Sequence, residues 1–395
     1  MKPEALPNAF PLATSTWDER EYAAIQSVIA SGRFTMGPLV AEFERQFAEL
    51  FGASFGVMVN SGSSANLLAI AAAVLDPRID LNPGDEVLVP AVSWATTYYP
   101  IQQYGLKLRF VDIDLDTLNM DLDLAERAIN PRTKAILAVN LRGNPNDFAR
   151  LGRLTADQGL LLLEDNCESL GATFRGKAAG TFGLMGSFSS FYSHHISTME
   201  GGIILTDDEQ TQHTLMSLRA HGWTRELPDT NTLFPKTGDD FDDLFRFVLP
   251  GYNVRPLEMS GAIGLEQVAK IPGLVAGRRA NAVIFRERMA AVPDIRIQSE
   301  TGESSWFGFS LVLEGPYAGR RRDVVRALQQ ANIDCRPIVA GNFTRNPVMK
   351  YLDAIVPASL RAADRIHDDG LFVGNHHYPI EGAIDLLCDT LRSIR

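Results

Sequence analysis

The sequence predicts an α/β fold: a three-layer α/β/α domain on a mostly parallel sheet, followed by a smaller α+β domain. Two observations carry that prediction. Short apolar runs alternate with amphipathic stretches through the first 262 residues, and the runs are apolar throughout instead of at every second position. Strands of that kind are buried on both faces, the condition of a parallel sheet covered by helices. The length, 395 residues, then divides into a large unit at 1–262 and a small one at 263–395, at about 100–200 residues per domain.

Taken in order, residues 16–50 read as helix, with apolar three- and four-residue spacing over Glu21 to Ile29 and Val40 to Leu50. Strands are expected at Gly56–Val59, Glu86–Val89, Leu108–Asp112, Ala135–Val139, Leu160–Leu163, Ser187–Tyr192 and Ile203–Leu205. Helices are expected between them at Ser64–Leu75, Thr96–Tyr104, Leu122–Ile129 and Phe148–Asp157. Residues 224–250 are polar and rich in turn formers, which predicts a long surface loop of the kind that serves function. A helix from Pro256 to Val268 leads into the small unit. Its strands are expected at Ile295–Ile297, Phe307–Leu313 and Asp334–Ile338, and its helices at Arg321–Ala331 and Ala383–Ile394.

Composition narrows the function. The hydrophobic fraction of 45% and charged fraction of 22% are those of a globular protein. A net charge of −11 argues against non-specific nucleic-acid binding and against an anionic membrane surface. The longest aliphatic stretch, Leu67 to Leu75, is too short to cross a bilayer, and MKPEALPNAF lacks a leader's apolar segment. Cys167, Cys335 and Cys388 are odd in number and form no CxxC pair, so no disulfide framework, metal site or iron–sulfur cradle is expected. A cytoplasmic protein is the expectation.

Four segments could carry chemistry. Asn60-Ser61-Gly62-Ser63-Ser64 lies between a strand and a helix, where small residues and free helix N–H groups suit a phosphate. It could equally be a plain turn with Ser63 or Ser64 as the cap. Trp94 follows a buried strand, where an aromatic could stack on a flat ring or simply close the rim. Glu164-Asp165-Asn166-Cys167-Glu168 ends another strand, and a desolvated Asp there wants a cation, from a heterocycle or an arginine. Finally, a buried strand from Gly186 runs into His194 and His195 and then Gly201-Gly202. Adjacent side chains on an extended segment diverge, so one histidine is expected to enter a site and act in acid–base chemistry.

Together and in this order, these segments resemble the fold-type I pyridoxal-phosphate enzymes that act on nucleotide-linked sugars. That family carries a lysine a few residues beyond its Phe-Ser strand; here the position holds His194, and none of the seven lysines (Lys2, Lys107, Lys134, Lys177, Lys236, Lys270, Lys350) lies in that turn. A transaminase needs that amine. The lysine-to-histidine branch is the 3-dehydratases of 4-keto-6-deoxy sugars, and segments such as GSFSSFYSHHISTMEGG, RAHGWTR and FVLPGYNVRPLEMSGAIGLEQ read as its GDP-linked members. The iron–sulfur members place cysteines after the stretch Arg219–Arg225, which has none here.

The resemblance implies a fold-type I architecture, a homodimer with shared sites, and pyridoxal 5′-phosphate or its pyridoxamine form held non-covalently. It implies that Asp165 pairs with the ring nitrogen, that Trp94 stacks on the ring, and that Gly62, Ser63 and Ser189 hold the phosphate. Asn253 and Arg255 would reach in from a second subunit, Glu168 would lie near the ring, and His221 and Arg336 would contact the amino donor or the sugar. His194 would be the base. L-Glutamate would supply the amino group, and a GDP-linked 4-keto-6-deoxy-mannose would lose its C3 hydroxyl, with 2-oxoglutarate and ammonia released. The competing readings are a sugar-nucleotide 4-aminotransferase, which would want a lysine at 194, and a catalytically inactive cofactor-binding relative.

Overall fold

A computed structural model describes residues 9–394; Met1–Asn8, most of the stretch MKPEALPNAF, and Arg395 lie outside the described residues. The strands are β1 (Phe55–Val59), β2 (Glu86–Pro90), β3 (Lys107–Val111), β4 (Thr133–Val139), β5 (Leu161–Asp165), β6 (Thr173–Phe174), β7 (Lys177–Ala178), β8 (Met185–Ser189), β9 (Gly202–Thr206), β10 (Ile295–Ile297), β11 (Phe309–Leu313), β12 (Cys335–Arg336), β13 (Ala354–Ile355) and β14 (Gly370–Val373). An eight-stranded sheet has the order β1-β9-β8-β5-β4-β2-β3-β13. From β8 to β13 every neighbour is parallel, and β9 runs antiparallel to both β8 and β1. Every residue of β2, β8 and β9 is buried, as the uniformly apolar runs require. The parallel register sets Val139 beside Asp165 and Asp165 beside Ser187, so the carboxyl ends of β4, β5 and β8 open on one edge.

The helices are α1 (Glu19–Ser31), α2 (Pro38–Phe51), α3 (Gly62–Leu75), α4 (Ala95–Gln103), α5 (Leu122–Ala128), α6 (Phe148–Gln158), α7 (Glu209–Arg219), α8 (Asp240–Asp243), α9 (Glu258–Met289), α10 (Arg321–Gln330), α11 (Arg361–Asp369) and α12 (Glu381–Ser393). The expected helix over 16–50 is two helices. Gly32 takes the left-handed conformation (φ 69°) that ends α1, and Pro38 opens α2, where a missing N–H costs nothing. Asp18 and Glu21 cap α1 reciprocally, the Asp18 amide donating to Glu21 at 2.8 Å. α3 is apolar nearly all round because it is enclosed by α4, α7 and the sheet, and its alanines allow that close approach.

The helix expected to stop at Val268 instead runs to Met289, through Pro272. A proline there removes one helical hydrogen bond, but Ile271, Leu274, Val275 and Arg278 around it are buried against α1, α2 and α12, so packing carries the helix past it. The helix therefore spans the expected division at 262/263. The second, antiparallel sheet has the order β10-β11-β14-β12. Its core is Phe285, Phe309, Leu311, Val373, Ile384 and Leu387. β13, from the C-terminal portion, adds in parallel to the edge of the large sheet. Residues 224–250 hold only the short α8 and a bridge between Trp223 and Phe247.

Candidate active site

A cavity of about 470 Å³ opens at the carboxyl edge of the large sheet, with the second sheet's Arg336 and Phe372 on its far side. Ligands in open α/β sheets bind at that edge. Of the residues expected from sequence, Gly62, Ser63, Trp94, Asp165, Glu168, Ser189, His194 and Arg336 all line it.

Its floor begins with the turn from β1 to α3. Ser61 is the cap, its Oγ accepting from the Ser64 amide at 3.1 Å, which corrects the expected Ser63 or Ser64. The cap leaves the Gly62 and Ser63 amides without carbonyl partners inside the helix, at its positive end. Position 62 admits only glycine: a Cβ there would lie 2.6 Å from Ser189 Cβ and 3.0 Å from Cys167 Sγ. The backbone of one loop thus reaches the side chain of the other, and the Ser63 hydroxyl, donating to Thr96 Oγ1 at 3.0 Å, stands at the same place. Free amides, two serine hydroxyls and a helix N-terminus form a cradle that fits a phosphate.

At the end of β5, pleating sends Glu164 and Asp165 to opposite sides. Glu164 is buried away from the cavity and accepts the backbone amides of Gly180, Phe182 and Gly183; burial pushes its carboxyl up. Asp165, 5% exposed, lines the cavity and accepts from Asn66 Nδ2 and Thr97 Oγ1, each at 2.8 Å, and from the Cys167 amide at 3.2 Å. Among the described residues no basic side chain is ion-paired with it. A buried carboxylate with three donors and no counter-cation is prepared for a cationic ligand atom, and a protonated pyridine nitrogen satisfies that. Trp94 caps α4 at the cavity and keeps 59% of its surface exposed, so it is a rim residue with a free face. These features fit pyridoxal phosphate at both ends, phosphate and ring.

The strand expected to run to Tyr192 stops at Ser189, and the chain turns at residues 192–193 and bends through 194–196. One histidine does enter the cavity, but the turn separates the pair, not strand alternation. His194 lines the cavity, while His195 is buried with Nε2 3.1 Å from the Ser305 carbonyl. His194 Nδ1 is enclosed without a hydrogen-bond partner. Burial, reinforced by the Arg142 and Arg278 cations, outweighs the opposing backbone hydrogen bonds of Cys167 and Ser189 and pushes its imidazole down to about 4, so it is neutral at physiological pH.

The sequence reading missed Arg142. It follows β4 with φ 58°, is 1% exposed, and lines the cavity. Its backbone amide and Nη1 donate to the two Glu168 oxygens at 3.1 and 3.2 Å, and its guanidinium lies over Phe372 (3.5 Å) and Phe307 (4.7 Å). Glu168 therefore lines the cavity as the partner of an arginine. A basic residue just past the carboxyl end of a buried parallel strand was the available signal.

His221, Asn253 and Arg255 are not among the residues lining this chain's cavity. They sit together beside it: Ala220 bridges Asn253, Arg255 Nε donates to Asn253 Oδ1 at 3.0 Å, and Trp223 packs against both His221 and Arg255. No group of three or more His, Cys, Asp or Glu among the described residues could hold a metal, and no helix is long and apolar enough to cross a membrane.

Residues 15–392 match the DegT/DnrJ/EryC1/StrS aminotransferase family. The chain is 55% identical over 385 residues to the GDP-4-keto-6-deoxy-D-mannose 3-dehydratase of Yersinia pseudotuberculosis, covering 97% of this chain and 98% of that one. The structure of the E. coli GDP-4-keto-6-deoxy-D-mannose-3-dehydratase with bound hydrated PLP superposes with a TM-score of 0.96 at 54% identity, covering 98% of this chain and all of that one. A crystal structure of ColD with adjacent serine-to-asparagine and histidine-to-lysine changes has a TM-score of 0.94 at 54% identity, over 96% of this chain and 100% of that one. The chain belongs to the DegT/DnrJ/EryC1/StrS aminotransferase family.

Proposed function

We propose that this chain is a pyridoxal-phosphate-dependent lyase that removes the C3 hydroxyl of GDP-4-keto-6-deoxy-D-mannose, with L-glutamate as amino donor. The observation that carries the reading is a neutral, cavity-lining histidine at the position where an aminotransferase needs lysine, in a site otherwise furnished for the cofactor. The near full-length likeness to 3-dehydratases supports the substrate. Ser193-His194 is the chain's one Ser-His pair, which supports matching it to the adjacent serine and histidine altered in ColD.

When bound, the cofactor supplies an electron sink and an amino group for the C4 ketone. The residues do the rest. Gly62, Ser63 and Ser189 hold the phosphate, Trp94 covers one ring face, and Asp165 keeps the ring nitrogen protonated. Glu168, gripped by Arg142, bounds the ring's edge. His194, neutral and lining the cavity, takes the proton whose removal drives out the C3 hydroxyl and then releases it. Its imidazole forms no covalent link to the cofactor, so the cofactor is held by these contacts alone. Arg336 faces the cavity for a carboxylate or sugar hydroxyl. Asn253, Arg255 and His221, outside this chain's cavity, serve the site of a second copy in a homodimer, within the cytoplasm where nucleotide sugars are used. In balance, glutamate and the keto sugar yield 2-oxoglutarate, ammonia and the 4-keto-3,6-dideoxy sugar.

The test is a coupled incubation with pyridoxal phosphate, L-glutamate and the GDP-linked keto sugar. Equal amounts of ammonia and 2-oxoglutarate, with a sugar one oxygen lighter by mass spectrometry, are expected. An amino sugar without ammonia would establish the aminotransferase instead, and no turnover with any keto sugar would favour the inactive relative.

A further inference from the structure

A histidine base is ordinarily oriented by a hydrogen bond from its second ring nitrogen to a carboxylate or carbonyl. His194 has no carboxylate partner: backbone groups of Cys167 and Ser189 reach its imidazole, but its Nδ1 is enclosed and makes no hydrogen bond. Rotation about the bond to an imidazole is broad and two-fold, so packing against the ring adds to what those backbone groups fix. Two aromatic edges meet it nearly at right angles: Phe307 at 5.1 Å and 86°, and Phe191 at 5.9 Å and 88°. Phe191 is 37% exposed, whereas Phe307 is held from several directions. Its amide donates to the Arg142 carbonyl at 3.2 Å, and its own carbonyl accepts Arg278 Nη1 at 3.1 Å. The Arg142 guanidinium lies 4.7 Å from its ring centre. Arg142 is fixed in turn by Glu168 and by the Phe372 ring. Gly308 makes room for it, since a Cβ there would lie 2.6 Å from Arg142 Nη2.

We infer that Phe307, clamped by Arg142, is the positioning residue that sets the His194 imidazole for proton transfer. The inference rests on His194 being the base. Ring packing suits that role, because it orients the imidazole without supplying an anion that would retain the proton.

The test compares Phe307→Leu, Phe307→Tyr, Arg142→Met and Arg142→Lys in the cofactor-loaded protein. It also records the imidazole resonances of histidine-labelled protein, with His194 assigned by its loss in His194→Asn. Phe307→Leu and both Arg142 variants are expected to lose kcat about tenfold or more, since a misplaced group can cost about 100-fold, with KM for sugar and glutamate within about twofold. Phe307→Tyr, which keeps the ring, is expected to retain kcat. The His194 resonance should move in Phe307→Leu and in both Arg142 variants in the same direction. Wild-type kcat in Phe307→Leu, a change confined to KM, wild-type behaviour of Arg142→Lys, or an unmoved His194 resonance would each overturn the inference. Undiminished turnover by His194→Asn would instead overturn the base assignment, while the resonance would still report whether Phe307 sets the ring.

Discussion

Asp165 and His194 face the same cavity, yet Asp165 accepts hydrogen bonds from Asn66, Thr97 and the Cys167 amide, while His194 meets only backbone groups of Cys167 and Ser189 and leaves its Nδ1 unpartnered. Both are largely removed from water, so the contrast lies in how burial is compensated. Three donors compensate the burial of the Asp165 carboxylate. On the proposed reading His194 takes up and releases a proton, and the Phe307 and Phe191 rings meet its imidazole edge-on. On that reading the fixed charge would sit in a hydrogen-bond network and the moving proton in an aromatic slot.

Substitutions can break this comparison, and the largest effect belongs to the base. His194→Asn should lower steady-state turnover by about 10²–10⁴-fold, the usual contribution of a positioned acid–base group, measured as ammonia release. Asp165→Asn keeps the shape but removes the charge. Losing a charge-assisted bond of about 1.5–3 kcal/mol corresponds to about 10–100-fold in turnover, and added cofactor should not restore it. Gly62→Ala puts a methyl 2.6 Å from Ser189 Cβ. Such overpacking should cost about 1–3 kcal/mol, read as a lower melting temperature together with weaker cofactor retention on dialysis.

The smallest effect sharpens the comparison through pH. An imidazole pushed down to about 4 when folded takes its proton near about 6.5 when unfolded, so the unfolded chain binds more protons between those values. His194 therefore contributes stability above about 6.5 that is lost as pH falls toward about 4. His376, also pushed down to about 4 by burial, and His195 act in the same direction. The urea midpoint should be lower at pH 5 than at pH 7.5, and equal midpoints would contradict buried neutral histidines. Turnover should likewise persist well below the ordinary imidazole range, because the base stays neutral there.

The parallel sheet was legible in the sequence because strands buried on both faces leave uninterrupted apolar runs, as in β2 and β9. That the Asn60–Ser64 turn and Asp165 stand at strand ends beside one cavity was legible, because local chemistry at a strand end announces itself. Two kinds of feature were not. The continuation of α9 through Pro272 depends on burial by α1, α2 and α12, which no local rule contains. α11 runs directly into β14, Gly370 being both the helix cap and the first strand residue, so no separate turn marks the boundary. Arg142 escaped notice because its importance comes from Glu168, Phe307 and Phe372, residues 26 to 230 positions away that only the fold assembles. The two histidines show the limit from the other side: expecting one to enter the cavity was sound, but the turn after Ser189 separates them.

The most direct measurement loads the protein with pyridoxamine phosphate, removes free cofactor and glutamate, and adds the GDP-linked keto sugar for a single turnover. The account predicts ammonia and a 3-deoxy sugar in equal amounts, up to one of each per loaded site, with no amino sugar. Transfer of the amine into a 4-amino sugar, with no ammonia and the C3 oxygen retained, would contradict it.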